Sequence, residues 1–133
     1  MMAQDDETSI RDLVSDWAAA VRRKDLAGIL RYHSPDILMF DVPPPLQCKG
    51  IEAYQRTWDL FFSMAREPVM FDITEMTVVA GGDVAFAAAV MRCAERDSSG
   101  QDTVLEFRLT VGLRKVEGLW MVVHEHHSVP AES

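Results

Sequence analysis

The chain of 133 residues has few cysteines and no basic run. Its two cysteines, Cys48 and Cys93, lie in different segments and form no CxxC pair, which argues against a disulfide-stapled scaffold and indicates free thiols in a reducing compartment. Acidic residues outnumber basic ones, so that the formal net charge is −8. Because nucleic acids and anionic membrane surfaces repel a protein of this charge, we expect neither as a partner.

Long apolar runs and cofactor-binding motifs are absent as well. No hydrophobic segment reaches the roughly 20 residues that a membrane-spanning helix requires. The N-terminal stretch MMAQDDETS is acidic and polar, unlike a secretion signal, and we therefore expect a cytoplasmic protein. The sequence contains no nucleophile elbow, phosphate-binding glycine loop or dinucleotide fingerprint, and we expect no cofactor.

The hydrophobic fraction of 48% suits one compact domain over residues 1–133. Helical spacing predicts a first helix, whose apolar stripe comprises Ile10, Leu13, Val14, Trp17, Ala18 and Val21. A second, short helix fits DLAGILRYH, with Asp25 as its N-cap and Pro35 as its breaker. A third helix opens at Gly50 and carries an apolar face that comprises Ile51, Tyr54, Trp58, Phe61 and Phe62.

Strand signals dominate the rest of the chain. A short strand fits DILMFDV between the second and third helices. Four longer strands are separated by turn residues, namely VMFDITEMTVVA, VAFAAAVMRCAER, TVLEFRLTVGLRKV and LWMVVHEHHSV. The order predicts an α+β domain in which three N-terminal helices pack on a strongly curved antiparallel sheet. Such a sheet encloses a conical hollow of the kind that binds small molecules.

Alternation along the strands assigns side chains to faces. In the third of the four long strands, the apolar column that contains Leu105 and Phe107 is predicted to face the helices. In the second, Arg92 continues the column of Val84 and Phe86, and this pattern predicts that Arg92 projects into the hollow.

The last strand is ambiguous because both of its columns begin with apolar residues. One column comprises Trp120, Val122, His124, His126 and Ser128, and the other comprises Met121, Val123, Glu125 and His127. Alternation leaves open which column lines the hollow. A strand that is apolar on both faces indicates cover on both, and we expect a homodimer formed through the outer face of the sheet.

Two segments, AVRRKDLAGILRYHSPDILMFDVPPP and RLTVGLRKVEGLWMVVHEHHSVP, resemble the nuclear transport factor 2-like superfamily, which includes ketosteroid isomerase and the SnoaL-like proteins. The second, in which a Gly-x-Trp turn leads into a His-x-His-x-Ser strand, is similar to the SnoaL-like 3 branch and to the association domain of calcium/calmodulin-dependent kinase. The resemblance implies a cone-shaped, cystatin-like fold. It fixes no reaction, because the superfamily includes isomerases, cyclases, hydrolases and non-catalytic assembly domains.

The resemblance also suggests roles for individual residues. Asp41 matches the general base of ketosteroid isomerase, and Trp17 stands where that enzyme has its oxyanion-binding tyrosine. An indole N–H is a much weaker acid than a phenol, and the second carboxyl group of the isomerase has no match. Steroid isomerisation by that mechanism is therefore not expected.

We predict a catalytic set of Asp41, Arg92 and His127, in which Asp41 takes a proton while Arg92, His127 or Trp17 steadies the oxyanion. The predicted substrate-binding set comprises Trp17, Tyr32, Trp58, Phe61, Phe62 and Glu125. Each assignment has a structural alternative. Asp41 would cap a turn, Arg92 would pair with a strand carboxylate, and the aromatic residues would belong to the core.

The histidines complete the set of candidates. His124 and His126 point the same way on a strand, as a metal site requires, but the remaining ligands are missing and His33 falls on the predicted second helix. We therefore expect no metal and place these histidines at a subunit interface. Two functions stay open. One is a cofactor-free isomerase, cyclase or hydrolase for a small apolar or carboxylate-bearing molecule; the other is a non-catalytic ligand-binding or assembly domain.

Overall fold

The computed structural model describes residues 5–65, 67–96 and 99–131. Within these ranges three helices and six strands follow one another, and the second of the six strands has only two residues. The elements are α1 (Asp6–Arg22), α2 (Leu26–Leu30), β1 (His33–Phe40), β2 (Cys48–Lys49), α3 (Ile51–Met64), β3 (Phe71–Ala80), β4 (Val84–Arg96), β5 (Asp102–Val116) and β6 (Leu119–Ser128).

Helix α1 forms as its apolar stripe predicts. The carboxylate of Asp5 caps it by accepting a hydrogen bond from the backbone N–H of Thr8 at 2.8 Å. Ile10, Val14 and Trp17 are buried against the sheet, as predicted. Within the described ranges no helix combines the length and the apolar character needed to cross a membrane.

Helix α2 is shorter than predicted, and its end explains why. Asp25 caps it through the backbone N–H of Gly28 at 3.1 Å, but the helix ends at Leu30 rather than at His33. Tyr32 then takes a left-handed backbone conformation with φ of 59°, and its carbonyl accepts from Val122 N–H at 2.8 Å. This hydrogen bond joins Tyr32 to β6, so that His33 continues as the first residue of β1 and pairs with Val122. The expectation that His33 lies on a helix was therefore wrong.

The sheet contains six strands in the order β2-β1-β6-β5-β4-β3. The predicted meander of four long strands is confirmed in its order, and each strand begins and ends within two residues of the predicted bounds. The turn between β5 and β6 has two residues with positive φ, Glu117 at 50° and Gly118 at 82°, as tight hairpins require. One strand pair departs from the predicted antiparallel sheet, because β1 runs parallel to β6. No hairpin joins these two strands, so no short turn dictates their relative direction.

The concave face of the sheet and the helices form the core. The column of β5 that contains Phe107 and Leu109 is buried there, as predicted. The prediction for β4 was wrong. The buried residues of β4 are the alternate set, which includes Met91 and Cys93, and Arg92 is exposed on the convex face opposite Glu106. The exposed column that ends in Arg92 carries the larger apolar residues Val84, Phe86 and Val90, whereas the buried column begins with three alanines. Hydrophobicity alone therefore chose the wrong face.

A β-bulge in β6 explains the two apolar columns of that strand. Leu113 pairs with Val122 while the preceding Gly112 pairs with His124, which leaves Val123 as an extra residue. Side chains before the bulge alternate in one phase, and those after it alternate in the other. Val122 is therefore buried, and after the bulge so is Glu125. We attribute the two apolar columns of β6 to this bulge. They are therefore no longer an argument that a second subunit covers the outer face of the strand.

Truncation of a core leucine tests the assignment of faces. Leu109 is 1% exposed, and Leu109→Ala should lower the free energy of unfolding by about 2–5 kcal/mol, because it removes buried methyl groups and leaves a cavity. Leu119→Ala is the matched control at an exposed leucine and should change it by no more than about 0.5 kcal/mol. Urea denaturation of both variants measures the difference, and equal effects would contradict the assignment.

Candidate functional site

A hollow of about 430 Å³ lies between α3, the loop that follows β1, and the adjoining parts of the strands. Its wall is largely apolar and aromatic. The principal side chains of this wall are those of Met39, Trp58, Phe61, Phe71, Leu105 and Phe107. Both cysteines, Cys48 and Cys93, also contribute to it, and burial raises the pKa of the Cys48 thiol.

Two ionisable side chains meet on the wall of this hollow. Asp41, the first residue after β1, lies opposite His127 near the end of β6, with 3.6 Å between the Asp41 Oδ1 and the His127 Nδ1. The Asp41 side chain is 19% exposed and that of His127 is 8% exposed. Asp41 Oδ1 also accepts a hydrogen bond from the backbone N–H of Val42 at 2.8 Å. The pairing of β1 with β6 brings the two residues together.

Behind His127 lies a buried carboxylate, Glu125, whose side chain is 1% exposed. Its Oε2 lies 3.1 Å from the Nε2 of His127. Its Oε1 accepts a hydrogen bond from the Tyr54 hydroxyl at 2.7 Å and lies 3.0 Å from the Nε2 of His33. Both oxygens of the carboxylate are thus occupied by protein partners, as a buried charge requires.

The partners of Glu125 are themselves held in place. The indole N–H of Trp17 donates to the Tyr54 hydroxyl at 2.9 Å, and the ring of His33 stacks on Tyr54 at 5.0 Å between centroids. The His33 Nδ1 donates to the Arg31 carbonyl at 2.8 Å while Nε2 faces the Glu125 carboxylate. Both ring nitrogens of His33 therefore face oxygen atoms, and these contacts fix the orientation of the ring.

The network fixes the charge states of its two acids. Burial alone would raise the pKa of Glu125, but hydrogen bonds from His127 and His33, with the charges of those rings, lower it to about 2. Burial and the neighbouring Glu125 charge raise the pKa of Tyr54 well above its ordinary value. At neutral pH Glu125 is ionised and Tyr54 is a phenol that donates to it.

This arrangement directs His127 towards the hollow. Glu125 occupies the Nε2 of His127 and leaves Nδ1 facing Asp41 and the hollow. A buried carboxylate that orients an imidazole and stabilises its charged form is the arrangement that lets histidine move a proton. Together, Asp41 and His127 can accept and donate a proton at one point of an otherwise apolar wall.

The predicted site residues fall into three groups. Asp41, His127, Trp58 and Phe61 line the hollow. Trp17 and Glu125 lie behind the wall in the buried network, and Phe62 packs on Trp58 and Phe61 without lining it. In the third group, Tyr32 and Arg92 lie apart from the hollow. The Tyr32 hydroxyl is at the surface, where it accepts from Arg31, and Arg92 is exposed on the convex face.

Sequence reasoning missed Tyr54 and His33. Tyr54 appeared only as one member of the apolar stripe of α3, although a buried tyrosine hydroxyl usually requires a partner. That requirement was the signal in the sequence that could have indicated a hydrogen-bond partner for Tyr54. His33 was placed on a helix, and no spacing rule pairs it with Glu125, 92 positions away along the chain.

The other two histidines of β6 face outwards. The Nδ1 of His124 donates to the Leu38 carbonyl at 2.7 Å, and His126 is exposed. The ring of Phe40 meets both imidazoles edge-on, with centroid distances of 5.0 and 5.4 Å. The question that alternation left open is thus resolved, and the column of Glu125 and His127 faces the interior.

Helices packed on a curved sheet around a hollow define the class, a small α+β domain, and comparisons with known proteins give the family. The profile of the SnoaL-like domain matches residues 10–132. The chain therefore belongs to the SnoaL-like family, within the nuclear transport factor 2-like, cystatin-like fold. It matches none of the curated proteins with which it was compared.

Solved structures agree with this assignment. A nuclear transport factor 2-like protein of unknown function from Pseudomonas putida is 38% identical, with a TM-score of 0.85 over 99% of this chain and 92% of the other. A putative calcium/calmodulin-dependent protein kinase II association domain from Xanthomonas campestris is 20% identical, with a TM-score of 0.78 over 100% and 94%. A ketosteroid isomerase-like protein from Erwinia carotovora is 16% identical, with a TM-score of 0.78 over 97% and 100%. The last two likenesses show the fold alone.

Neutralising the buried carboxylate tests the network. Glu125→Gln keeps the shape but removes the charge that His33 and His127 face, and it should lower the free energy of unfolding at neutral pH by about 3–5 kcal/mol. Because the folded-state pKa of Glu125 is lowered from 4.5 to about 2, its stabilising contribution is present above about pH 4.5 and is lost as the pH falls towards 2. The difference between the two proteins should shrink over that window.

Urea denaturation across this pH range measures the difference. Glu117→Gln, at an exposed position in the turn between β5 and β6, is the matched control and should have a small effect at every pH. A Glu125→Gln variant as stable as the unmodified protein at neutral pH would contradict the network.

Proposed function

We propose that this protein is a cofactor-free enzyme that performs acid–base chemistry on a small, largely apolar molecule bound in the hollow. One observation carries the proposal: Asp41 and His127 meet on an apolar wall while buried Glu125 holds the imidazole from behind. A proton-transferring pair in a water-poor cleft is the usual basis of isomerase, cyclase and hydrolase chemistry without a cofactor.

The roles follow from the distances. Asp41 accepts a proton from a carbon or hydroxyl of the bound molecule, and His127 donates from Nδ1 to the oxygen on which charge develops. Glu125 stabilises the imidazolium form that makes this donation possible. Trp17, proposed from the sequence as an oxyanion donor, gives its only N–H to Tyr54, and Arg92 lies on the opposite face. Neither contributes to the proposed step.

The lining supports the class of substrate. Ring contacts among Trp58, Phe61 and Phe71 at 5.6–6.0 Å present aromatic surface to whatever occupies the hollow. A volume of about 430 Å³ falls within the usual range for sites that bury small organic molecules. The ketosteroid isomerase-like neighbour adds an analogy at the level of the fold.

Asp41→Asn tests this function. A thermal-shift screen of hydrophobic ketones, lactones, acids and amines first identifies a ligand that the protein turns over. The substitution should lower kcat by about 10²–10⁴-fold, because it removes the base but keeps the shape. It should leave the binding of an uncharged ligand nearly unchanged. Asp59→Asn, at an exposed position on α3, is the matched control and should retain full turnover. Unchanged turnover in Asp41→Asn would remove Asp41 from the mechanism.

A second function, assembly, is favoured by the convex face of the sheet. Val79, Val84 and Phe86 are 50%, 65% and 45% exposed there, and Val79 pairs directly with Phe86. Adjacent exposed apolar side chains indicate a contact surface. Two of the solved neighbours are association domains, which supports self-association, and we propose a homodimer through this face. Assembly and binding in the hollow are compatible because they use opposite faces.

Analytical ultracentrifugation tests the proposed dimer. Phe86→Asp places a charge at the centre of the exposed apolar patch and should shift the protein from dimer to monomer at micromolar concentration, because a buried unpaired charge is costly. Leu46→Asp, at a 93% exposed apolar residue in the loop between β1 and β2, should leave the dimer intact. A monomeric unmodified protein would refute the homodimer.

A further inference from the structure

We propose that the hollow selects a hydrophobic amine, that is, an ammonium group carried on an apolar body. This inference rests on the proposed binding of a small molecule in the hollow and names the chemical class of that molecule. It follows from the charge of the wall, from an unused carboxylate oxygen and from the aromatic lining.

The wall of the hollow offers no fixed positive charge. Among the described residues that line it, Asp41 is the one carboxylate, His127 is the one imidazole, and no lysine or arginine contributes. With a neutral His127 the wall carries a charge of −1, and with a protonated His127 it carries zero. The wall is therefore never positive in net charge. An anionic ligand would have no unshared cationic partner.

Asp41 retains an oxygen that can bind a ligand. Its Oδ1 accepts from the Val42 N–H and faces His127. In the part of the chain that the structure describes, its Oδ2 accepts no hydrogen bond, although the side chain is only 19% exposed. An ammonium group in the hollow would donate to this oxygen in a charge-assisted hydrogen bond, which is about twice as strong as a neutral one.

The aromatic lining suits both parts of such a ligand. Trp58 and Phe71 meet edge to face at 5.6 Å, and Phe71 and Phe107 lie 5.8 Å apart. Ring faces carry partial negative charge and attract ammonium groups, and they also bury apolar carbon. Among the ligand classes weighed from the sequence, a carboxylate-bearing molecule fits this wall least well.

Three ligands that share one apolar body but differ in charge test whether the hollow prefers an ammonium group, a neutral hydroxyl or a carboxylate. Isothermal titration calorimetry at neutral pH would measure the Kd of phenylbutylamine, phenylbutanol and phenylbutanoate, which share an apolar body and differ in the charge of the head. We expect the amine to bind about tenfold more tightly than the alcohol, with the acid weakest. This ranking uses the unmodified protein and does not depend on the stability of a variant.

Asp41→Asn should then bring the Kd of the amine within about threefold of that of the alcohol, whereas Asp59→Asn on the exposed face of α3 should preserve the tenfold preference. An acid that binds best, an alcohol that equals the amine, or a preference that survives Asp41→Asn would overturn this proposal while leaving small-molecule binding intact. Failure of all three ligands to bind would overturn both proposals.

Discussion

The buried carboxylate of Glu125 is the constraint on which the interior depends. An ionised group that is 1% exposed persists only if its oxygens are satisfied, and the donors come from separate parts of the chain. Tyr54 lies on α3, His33 lies at the start of β1, and His127 lies on β6, as Glu125 itself does. Trp17 extends the network to α1. One carboxylate thus determines how the helices and the first strand sit against β6.

The bulge at Val123 makes this possible. Without the extra residue, the alternation that buries Trp120 and Val122 would turn Glu125 to the convex face. The bulge changes which residues of β6 face the interior. Before it these are the apolar residues Trp120 and Val122, and after it they are the polar residues Glu125 and His127. The parallel pairing with β1 then places Asp41 beside the end of the strand. Backbone irregularity, rather than side-chain identity, creates the site.

This explains which parts of the structure can be predicted from sequence. Turn residues and apolar periodicity are local signals, and they located α1 and the four long strands. Asp41 and His127 were selected by chemistry and resemblance, and both line the hollow. The errors concern non-local effects. Arg92 was assigned to the wrong face because its column, with Val84 and Phe86, is more apolar than the buried one. The helical placement of His33 was wrong because His33 pairs with β6, a strand distant in sequence.

The carboxylates of Glu125 and Asp41 have different roles, because the first supports the structure and the second is available for the proposed function. Both oxygens of Glu125 are occupied by protein partners, so this group can orient and polarise His127 but cannot contact a ligand. Asp41 uses one oxygen on the Val42 N–H and the imidazole. Full satisfaction makes the buried network rigid, and a rigid support is what an acid–base pair needs to keep its geometry when the hollow is empty. The proposed chemistry is assigned to Asp41, the acid whose hydrogen-bonding capacity the fold leaves incomplete.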